Sequence, residues 1–112
     1  MLLILSQKLK NRVSSACGDM SLKFSLRNTI INGSKRGCSG LIRNTGNGSV
    51  VYVNTERSAY GGVKNYMFRY AKDETDFHGY RNHWADTLDE LVAEIRSMLQ
   101  KTPEEAREFH LP

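Results

Sequence analysis

Hydrophobic and polar residues alternate with a period of two at the start of the strand-rich part of the chain. Between residues 21 and 31, apolar Leu22 and Phe24 fall on one side, while Lys23 and Arg27 fall on the other. This period is typical of a strand with one buried face and one polar face. The segment therefore predicts the first strand of a sheet.

Three further stretches predict strands that follow the first one. A second strand runs to about Arg43, the β-branched run SVVYVN spans residues 49–54, and YMFRYA spans residues 66–71. Asn-Gly pairs, at 32–33 and within NTGNG at 44–48, are strong hairpin signals because a type I′ turn needs positive φ at both central positions. The pattern predicts an antiparallel β-meander of three to four strands.

A change of period after residue 86 predicts a helix. Thr87 and Glu90 form a T-x-x-E capping box. An apolar stripe then repeats at helical spacing: Leu88, Leu91, Val92, Ile95 and Leu99. A second T-x-x-E, with Pro103 at the first helical position, predicts a short tail helix that ends near Phe109. We therefore expect an α+β fold, with the meander packed on a C-terminal amphipathic helix.

The first nineteen residues differ from the rest and leave three interpretations open. On a helix, Leu5, Leu9 and Val13 share one face, which fits a short N-terminal helix or a loose arm. Met20 is a second candidate for the true start, because the strand pattern begins directly after it. The scarcity of acids also fits a mitochondrial presequence. The apolar run MLLIL is too short for a membrane span, so none is expected.

Composition fits one domain, which we place at residues 20–112 after the N-terminal segment 1–19. The chain has 112 residues, of which 39% are hydrophobic and 25% are charged, as in ordinary globular proteins. Its two cysteines, Cys17 and Cys38, are too few for a disulfide framework. We expect reduced thiols and a cytoplasmic protein, with a Cys17–Cys38 bridge as the alternative.

The net charge of +4 conceals an asymmetry between the two parts of the chain. Residues 1–72 contain twelve Lys and Arg against two acids, while residues 73–112 contain ten acids against four bases. One interpretation is a basic surface for a polyanion. The other is that the two parts face each other in the fold and neutralise.

A cationic sheet face is the first candidate site. If the helix covers the side that holds Leu22 and Phe24, the opposite side collects basic residues and one tyrosine. The candidate nucleic-acid-binding residues are Lys23, Arg27, Arg43, Tyr52 and Arg69. Basic sheets with an aromatic side chain hold phosphates and stack on exposed bases. The alternative is a solvated sheet face, because antiparallel sheets often leave one face in water.

The polar loop at residues 72–86 is the second candidate site, because it is long for a small domain and rich in aromatic residues. The candidate partner-binding residues are Phe77, Tyr80, Arg81 and Trp84. Exposed aromatics and arginine are common anchors of protein interfaces. The alternative places Trp84 under the helix as part of the core, since large aromatics are mostly buried.

No catalytic or metal-binding pattern is present in the sequence. His78 and His83 have a spacing that suits one metal ion, but no closely spaced cysteine pair accompanies them. No nucleophile elbow, P-loop or dinucleotide fingerprint occurs. We therefore expect a small non-enzymatic intracellular binding module without cofactor or metal, which contacts nucleic acid. The alternative function is a protein-interaction or inhibitor protein that uses the 72–86 loop.

Overall fold

The chain folds into one antiparallel sheet with helices before and after it. The computed structural model describes residues 6–31, 35–55, 66–73 and 81–110. The elements, in chain order, are α1 (Ser6–Ala16), β1 (Leu22–Ile31), β2 (Lys35–Asn44), β3 (Ser49–Asn54), β4 (Tyr66–Ala71), β5 (His83–Ala85), α2 (Leu88–Leu99) and α3 (Pro103–His110). Within these residues, no helix is both long and apolar enough to cross a membrane. The fold class is α+β, as predicted.

The strands pair in chain order from β1 to β5, and every pairing is antiparallel. The four longer strands match the sequence prediction closely, whereas the turn predicted at 32–33 lies outside the described residues. β5 was not predicted, because three residues are too few to show a period of two. It forms by pairing with β4, where Trp84 lies opposite Met67.

Both α1 and α2 pack on the same side of the sheet, which we call the helical face. It consists of the alternating residues that point toward the core, including Ile42, Val51 and Phe68. Leu91 and Ile95 on α2 pack into the same cluster and are fully buried. The apolar stripe of the predicted helix therefore covers the sheet as expected.

The threonine of each predicted T-x-x-E cap accepts from its helix, but in the first cap Glu90 Oε2 accepts from the Asp86 amide, at 3.2 Å, and not from the Thr87 amide. The Glu90 amide donates to Thr87 Oγ1 at 3.1 Å, and the Glu105 amide donates to Thr102 Oγ1 at 3.3 Å. In the second cap, Glu105 Oε1 also accepts from the Thr102 amide at 2.9 Å. These bonds give the first helical amides partners that the helix itself cannot supply.

The end of α2 is held by side chains from the sheet. The backbone carbonyls of the last helical turn have no partner within a helix. Here Asn44 Nδ2 and Asn47 Nδ2 donate to the Leu99 carbonyl at 2.9 and 3.0 Å. Tyr70 Oη donates to the Met98 carbonyl at 2.9 Å. The turn between β2 and β3, together with β4, therefore fixes where α2 ends.

Ion pairs join the two helices on the helical face. Arg12 on α1 pairs with Asp89 at the start of α2. Arg96, in the last turn of α2, donates to Asp19 at 2.8 Å and to the Ala16 carbonyl at 2.7 Å. The helices therefore lie side by side and run in the same direction.

Of the three interpretations of the N-terminal segment, the structure contains a packed helix. Leu9 and Val13 of α1 are fully buried in the main core, and Cys17 follows them there. The alternatives of a start at Met20 and of a presequence concern the mature chain and stay predictions. Residues 1–5 lie outside the described residues.

One glycine is required where β1 and β2 approach closely. Gly40 has a φ of 149°, in the region that side chains rarely adopt. A Cβ atom at this position would lie 2.0 Å from the Ser25 carbonyl oxygen. Only glycine therefore allows the two strands to pair through this point.

The hydrogen bond from Asn44 to the end of α2 predicts that replacing Asn44 lowers the stability of the protein. Asn44→Ala leaves the Leu99 carbonyl one donor short and the Gly46 amide without its side-chain acceptor. Since both groups lie in a buried or half-buried region, we expect the free energy of unfolding in urea to fall by about 1–3 kcal/mol. The exposed control Asn82→Ala should change it by less than about 0.5 kcal/mol. Equal effects of the two variants would contradict this role of Asn44.

The packing of α1 predicts that it contributes to the stability of the whole domain. Leu9→Ala should lower the free energy of unfolding by about 2–5 kcal/mol, because it removes buried methyl groups and leaves a cavity. The neighbouring Lys8→Ala variant, at an exposed position, serves as the control and should be nearly neutral. A neutral Leu9→Ala variant would show that the folded unit does not depend on α1.

Candidate nucleic-acid interface

The face of the sheet opposite α1 and α2 is defined by the strand register. Residues directly opposite each other on paired strands share one face of a sheet. Three rows of direct neighbours cross this face: Lys23–Arg43–Val50–Ala71, Ser25–Leu41–Tyr52–Arg69 and Arg27–Ser39–Asn54–Met67–Trp84. We call these thirteen residues the cationic face. It is the counterpart of the helical face, with which it alternates along every strand.

The cationic face contains all five residues that the sequence proposed for nucleic-acid binding. Lys23 and Arg27 on β1 are exposed, and Arg43 on β2 is half-buried directly opposite Lys23. Tyr52 is half-buried on β3, and Arg69 is only 3% exposed. The register therefore brings the five residues together, but it places Arg69 beneath the surface instead of at it.

Arg69 and Asn54 hold the ring of Tyr52 in place. The Arg69 guanidinium lies over the Tyr52 ring, 4.8 Å from its centroid, at the distance of a cation–π contact. Arg69 Nη1 also donates to the Tyr70 carbonyl at 2.9 Å. Asn54 Nδ2 donates to Tyr52 Oη at 3.1 Å. Tyr52 is thus an aromatic ring with restrained orientation that keeps part of its surface exposed.

The middle of the cationic face is apolar and buried, which the sequence analysis did not anticipate. Leu41, Val50 and Ala71 form a second small hydrophobic cluster, against which Tyr52 packs. Met67 is also buried. The signal was present in SVVYVN, because apolar residues at consecutive positions are typical of strands buried on both faces. The accessible cations therefore lie along β1 and β2, beside this cluster.

The charge asymmetry of the chain has a structural counterpart. The five strand ranges contain no Asp or Glu, while they contain six basic residues: Lys23, Arg27, Lys35, Arg36, Arg43 and Arg69. The acids of α2 lie across the sheet, where Asp89 pairs with Arg12 of α1. Part of the basic charge of residues 1–72 therefore pairs with acids of residues 73–112, as expected if the two parts of the chain face each other. The cations of the cationic face are on the other side of the sheet.

The aromatic loop is described only in part. Phe77 and Tyr80 lie outside the described residues, so their proposed role in partner binding stays a prediction. Arg81 is exposed. Trp84 is 38% exposed and belongs to the cationic face, opposite the side that α2 covers. The interpretation that placed Trp84 under the helix is therefore wrong, because β5 turns its neighbours His83 and Ala85 toward the helical face instead.

The described residues offer little for catalysis. No three His, Cys, Asp or Glu side chains among them are grouped as metal ligands would be, and His78 lies outside the described part. Cys17 and Cys38 are free and buried. Burial raises the pKa of the Cys17 thiol, despite the nearby Arg96, and so disfavours the reactive thiolate. Among the described residues, the cations grouped on the cationic face are the chemical feature that remains.

Comparison with known proteins found no relative of this chain. No family model, no curated protein and no solved structure matches the chain. The chemistry of the site therefore rests on its geometry.

His83 on β5 predicts a pH dependence of stability, because its ring is partly buried against Phe68. Its ring stacks on Phe68 with centroids 5.6 Å apart. Burial lowers the pKa of His83 from the ordinary 6.5, the charge of Arg81 lowers it further, and Glu94 opposes the shift. The unfolded chain therefore binds the proton more tightly than the folded chain. The free energy of unfolding should be highest above pH 6.5 and should fall as the pH drops through the lowered pKa.

The measurement is urea unfolding of the wild type and His83→Gln across this pH range. The difference between the two proteins isolates His83 from the other titrating groups. It should change with pH in the direction of a wild type that loses stability on acidification. A difference that stays constant with pH would contradict the assignment.

Proposed function

We propose that this protein is a non-enzymatic binding module that contacts nucleic acid through its cationic face. The observation that carries the proposal is the gathering of Lys23, Arg27 and Arg43 on a sheet whose strands contain no acid. This grouping lies across the sheet from the acidic helix α2. The exposed Lys23 and Arg27, with the half-buried Arg43 beside them, favour contact with a polyanion on the β1–β2 side of this face.

The spacing of the three cations suits contact with more than one phosphate. Lys23 and Arg43 are direct cross-strand neighbours, about 5 Å apart at their backbones, and Arg27 lies about 13 Å farther along β1. A phosphate at this position would lie within reach of both the Lys23 and the Arg43 side chains.

Arg69 has a supporting role in this proposal instead of a direct phosphate contact. Its guanidinium is buried against the Tyr52 ring, so it fixes the ring and contributes positive potential beneath it. Tyr52 is the stacking residue of the proposed site. Base–aromatic stacking together with a basic surface is a common mode of binding for unpaired nucleic acid.

The alternative, a protein-interaction or inhibitor function of the 72–86 loop, stays a prediction. In its favour are the exposed Arg81 and Trp84. Two of its four proposed residues lie outside the described part of the chain. Since Trp84 belongs to the cationic face, the two proposed sites meet at this residue.

The proposal predicts a defined salt dependence. Three phosphate contacts give a slope of log K against log salt of about −2 on single strands and about −3 on B-form DNA. Titrations of a fluorescently labelled oligonucleotide, between about 50 and 200 mM salt, measure this slope by anisotropy. Replacing Lys23, Arg27 or Arg43 singly by Gln should weaken binding and reduce the slope by about 0.7–0.9.

The matched control is Lys8→Gln, which makes the same charge change at an exposed position of α1. It should leave the slope unchanged if the contacts lie on the cationic face. Thermal unfolding checks that each variant remains folded. Absence of binding at low salt would refute the proposal and favour the protein-interaction alternative.

A further inference from the structure

β1 is an edge strand of the sheet, and alternate residues along it direct their backbone groups away from β2. The Thr45 amide donates to the Ser21 carbonyl at 2.8 Å, which fixes the parity of the β1–β2 ladder. In an antiparallel ladder, hydrogen-bonded pairs alternate with pairs that are not hydrogen-bonded. The amides and carbonyls of Leu22, Phe24 and Leu26 therefore face outward. No strand among the described residues pairs with that side of β1.

A groove lies beside this edge on the helical face, between α1 and β1. It is lined by Ser6, Gln7 and Lys10 on α1 and by Phe24 and Leu26 on β1. Phe24 and Leu26 are half-buried, and the Lys10 ammonium lies over the Phe24 ring, 5.7 Å from its centroid. The groove has a volume of about 170 Å³, below the roughly 300–1,000 Å³ of small-molecule sites. It therefore suits a side chain of an extended polypeptide.

Strand parity connects the groove with the outward backbone groups. A residue that pairs directly with Phe24 directs its own side chain to the same face of the sheet. An added strand would thus place every second side chain at the groove and the others on the face that holds the exposed Arg27. Strand addition at a sheet edge uses backbone hydrogen bonds for affinity and alternate side chains for specificity.

The charges around this edge indicate which kind of strand it would accept. α1 and β1 contain no Asp or Glu, while they contain five basic residues: Lys8, Lys10, Arg12, Lys23 and Arg27. Lys10 lies at the groove and Arg27 on the other face, so cations flank an added strand on both of its faces. Two copies paired through β1 would bring like charges together, which disfavours self-association. An acidic strand would neutralise these charges instead.

We propose that the β1 edge binds an acidic, extended peptide segment of another protein by strand addition. The peptide pairs with the outward amides and carbonyls of Phe24 and Leu26. One set of its alternate acidic side chains lies in the groove, with carboxylates near Lys10 and aliphatic stems on Phe24. The other set lies near Arg27. The inference goes beyond the proposed function and does not depend on it, because the groove is on the helical face.

The probe is the fluorescein-labelled peptide TVEETVEET, in which strand-forming residues separate acids at both odd and even positions. We expect it to bind the full chain in anisotropy titrations. Lys10→Glu and Arg27→Glu should each raise its Kd by about 3- to 10-fold, because each variant replaces an attraction by a repulsion. Lys8→Glu is the matched control, since Lys8 is exposed on the flank of α1 that it shares with Arg12, away from the groove. It should change the Kd by less than about 2-fold.

The parity of amide hydrogen exchange, measured by NMR, tests the backbone pairing. Binding should protect the amides of Phe24 and Leu26, whereas those of Lys23 and Ser25 face β2 and are protected in the free protein as well. The peptide TPEETPEET has the same charge, but proline lacks the amide that a strand pairing needs. It should therefore bind more weakly and leave the Phe24 and Leu26 amides unprotected.

Thermal unfolding checks that each variant remains folded, and the comparison of the two peptides on the wild type needs no variant. Equal affinity for the two peptides, or protection that does not alternate along β1, would show charge attraction alone and overturn the inference. Self-association of the free protein through the same amides would overturn it too, as would their protection by a single-stranded oligonucleotide in place of the peptide. Absence of peptide binding, with oligonucleotide binding intact, would refute this inference and leave the proposed function standing.

Discussion

The bonds that hold the C-terminal end of α2 decide which face of the sheet is covered. A helix that ends without a capping glycine needs other donors for its last carbonyls. Four side chains of the sheet and its β2–β3 turn supply donors to the Met98 and Leu99 carbonyls: Asn44, Asn47, Ser49 and Tyr70. Because these donors are buried or half-buried, leaving them unpaired is costly. The helix is therefore anchored over β3 and β4, and the cationic face lies on the opposite side of the sheet.

The position of α2 also determines how charge is distributed over the molecule. Its acids lie on the helical side, where Asp89 pairs with Arg12. Arg96 of the same helix forms an ion pair with Asp19. These partly exposed pairs contribute little stability individually. Their effect is on where charge lies, because they hold Asp89 and Asp19 on the side of the sheet opposite the cationic face. The strands contain only basic charges, and the proposed binding surface follows from this separation.

The fold was largely predictable from the sequence, because its signals are local. Alternation of apolar residues predicts β1, and T-x-x-E caps predict the starts of α2 and α3 to within a residue. β5 was not predictable, since a strand of three residues exists only through its pairing with β4. The burial of Arg69 was likewise not predictable from the sequence. Its depth depends on tertiary contacts such as the one with the Tyr52 ring on β3, which no local pattern encodes.

The candidate site was predictable as a set of residues, but its arrangement was not. Period-two alternation correctly grouped Lys23, Arg27, Arg43 and Arg69, because strand parity alone decides the face. The membership of Trp84 depends on the register of a strand that the sequence did not reveal. The apolar cluster around Val50 had a signal in its consecutive valines, which describe a strand buried on both sides.

The pairing of α1 with α2 has a consequence for how the chain reaches its native state during synthesis. Arg12 and Asp89 are 77 positions apart, and so are Asp19 and Arg96. Since α1 is synthesised before α2, it cannot complete these contacts until the 77 positions that separate the paired residues have followed. Until then, the apolar side of the sheet stays uncovered by α2. Contacts between such distant positions slow folding and prolong exposure to aggregation. The late docking of α2 therefore sets how long this apolar side is exposed.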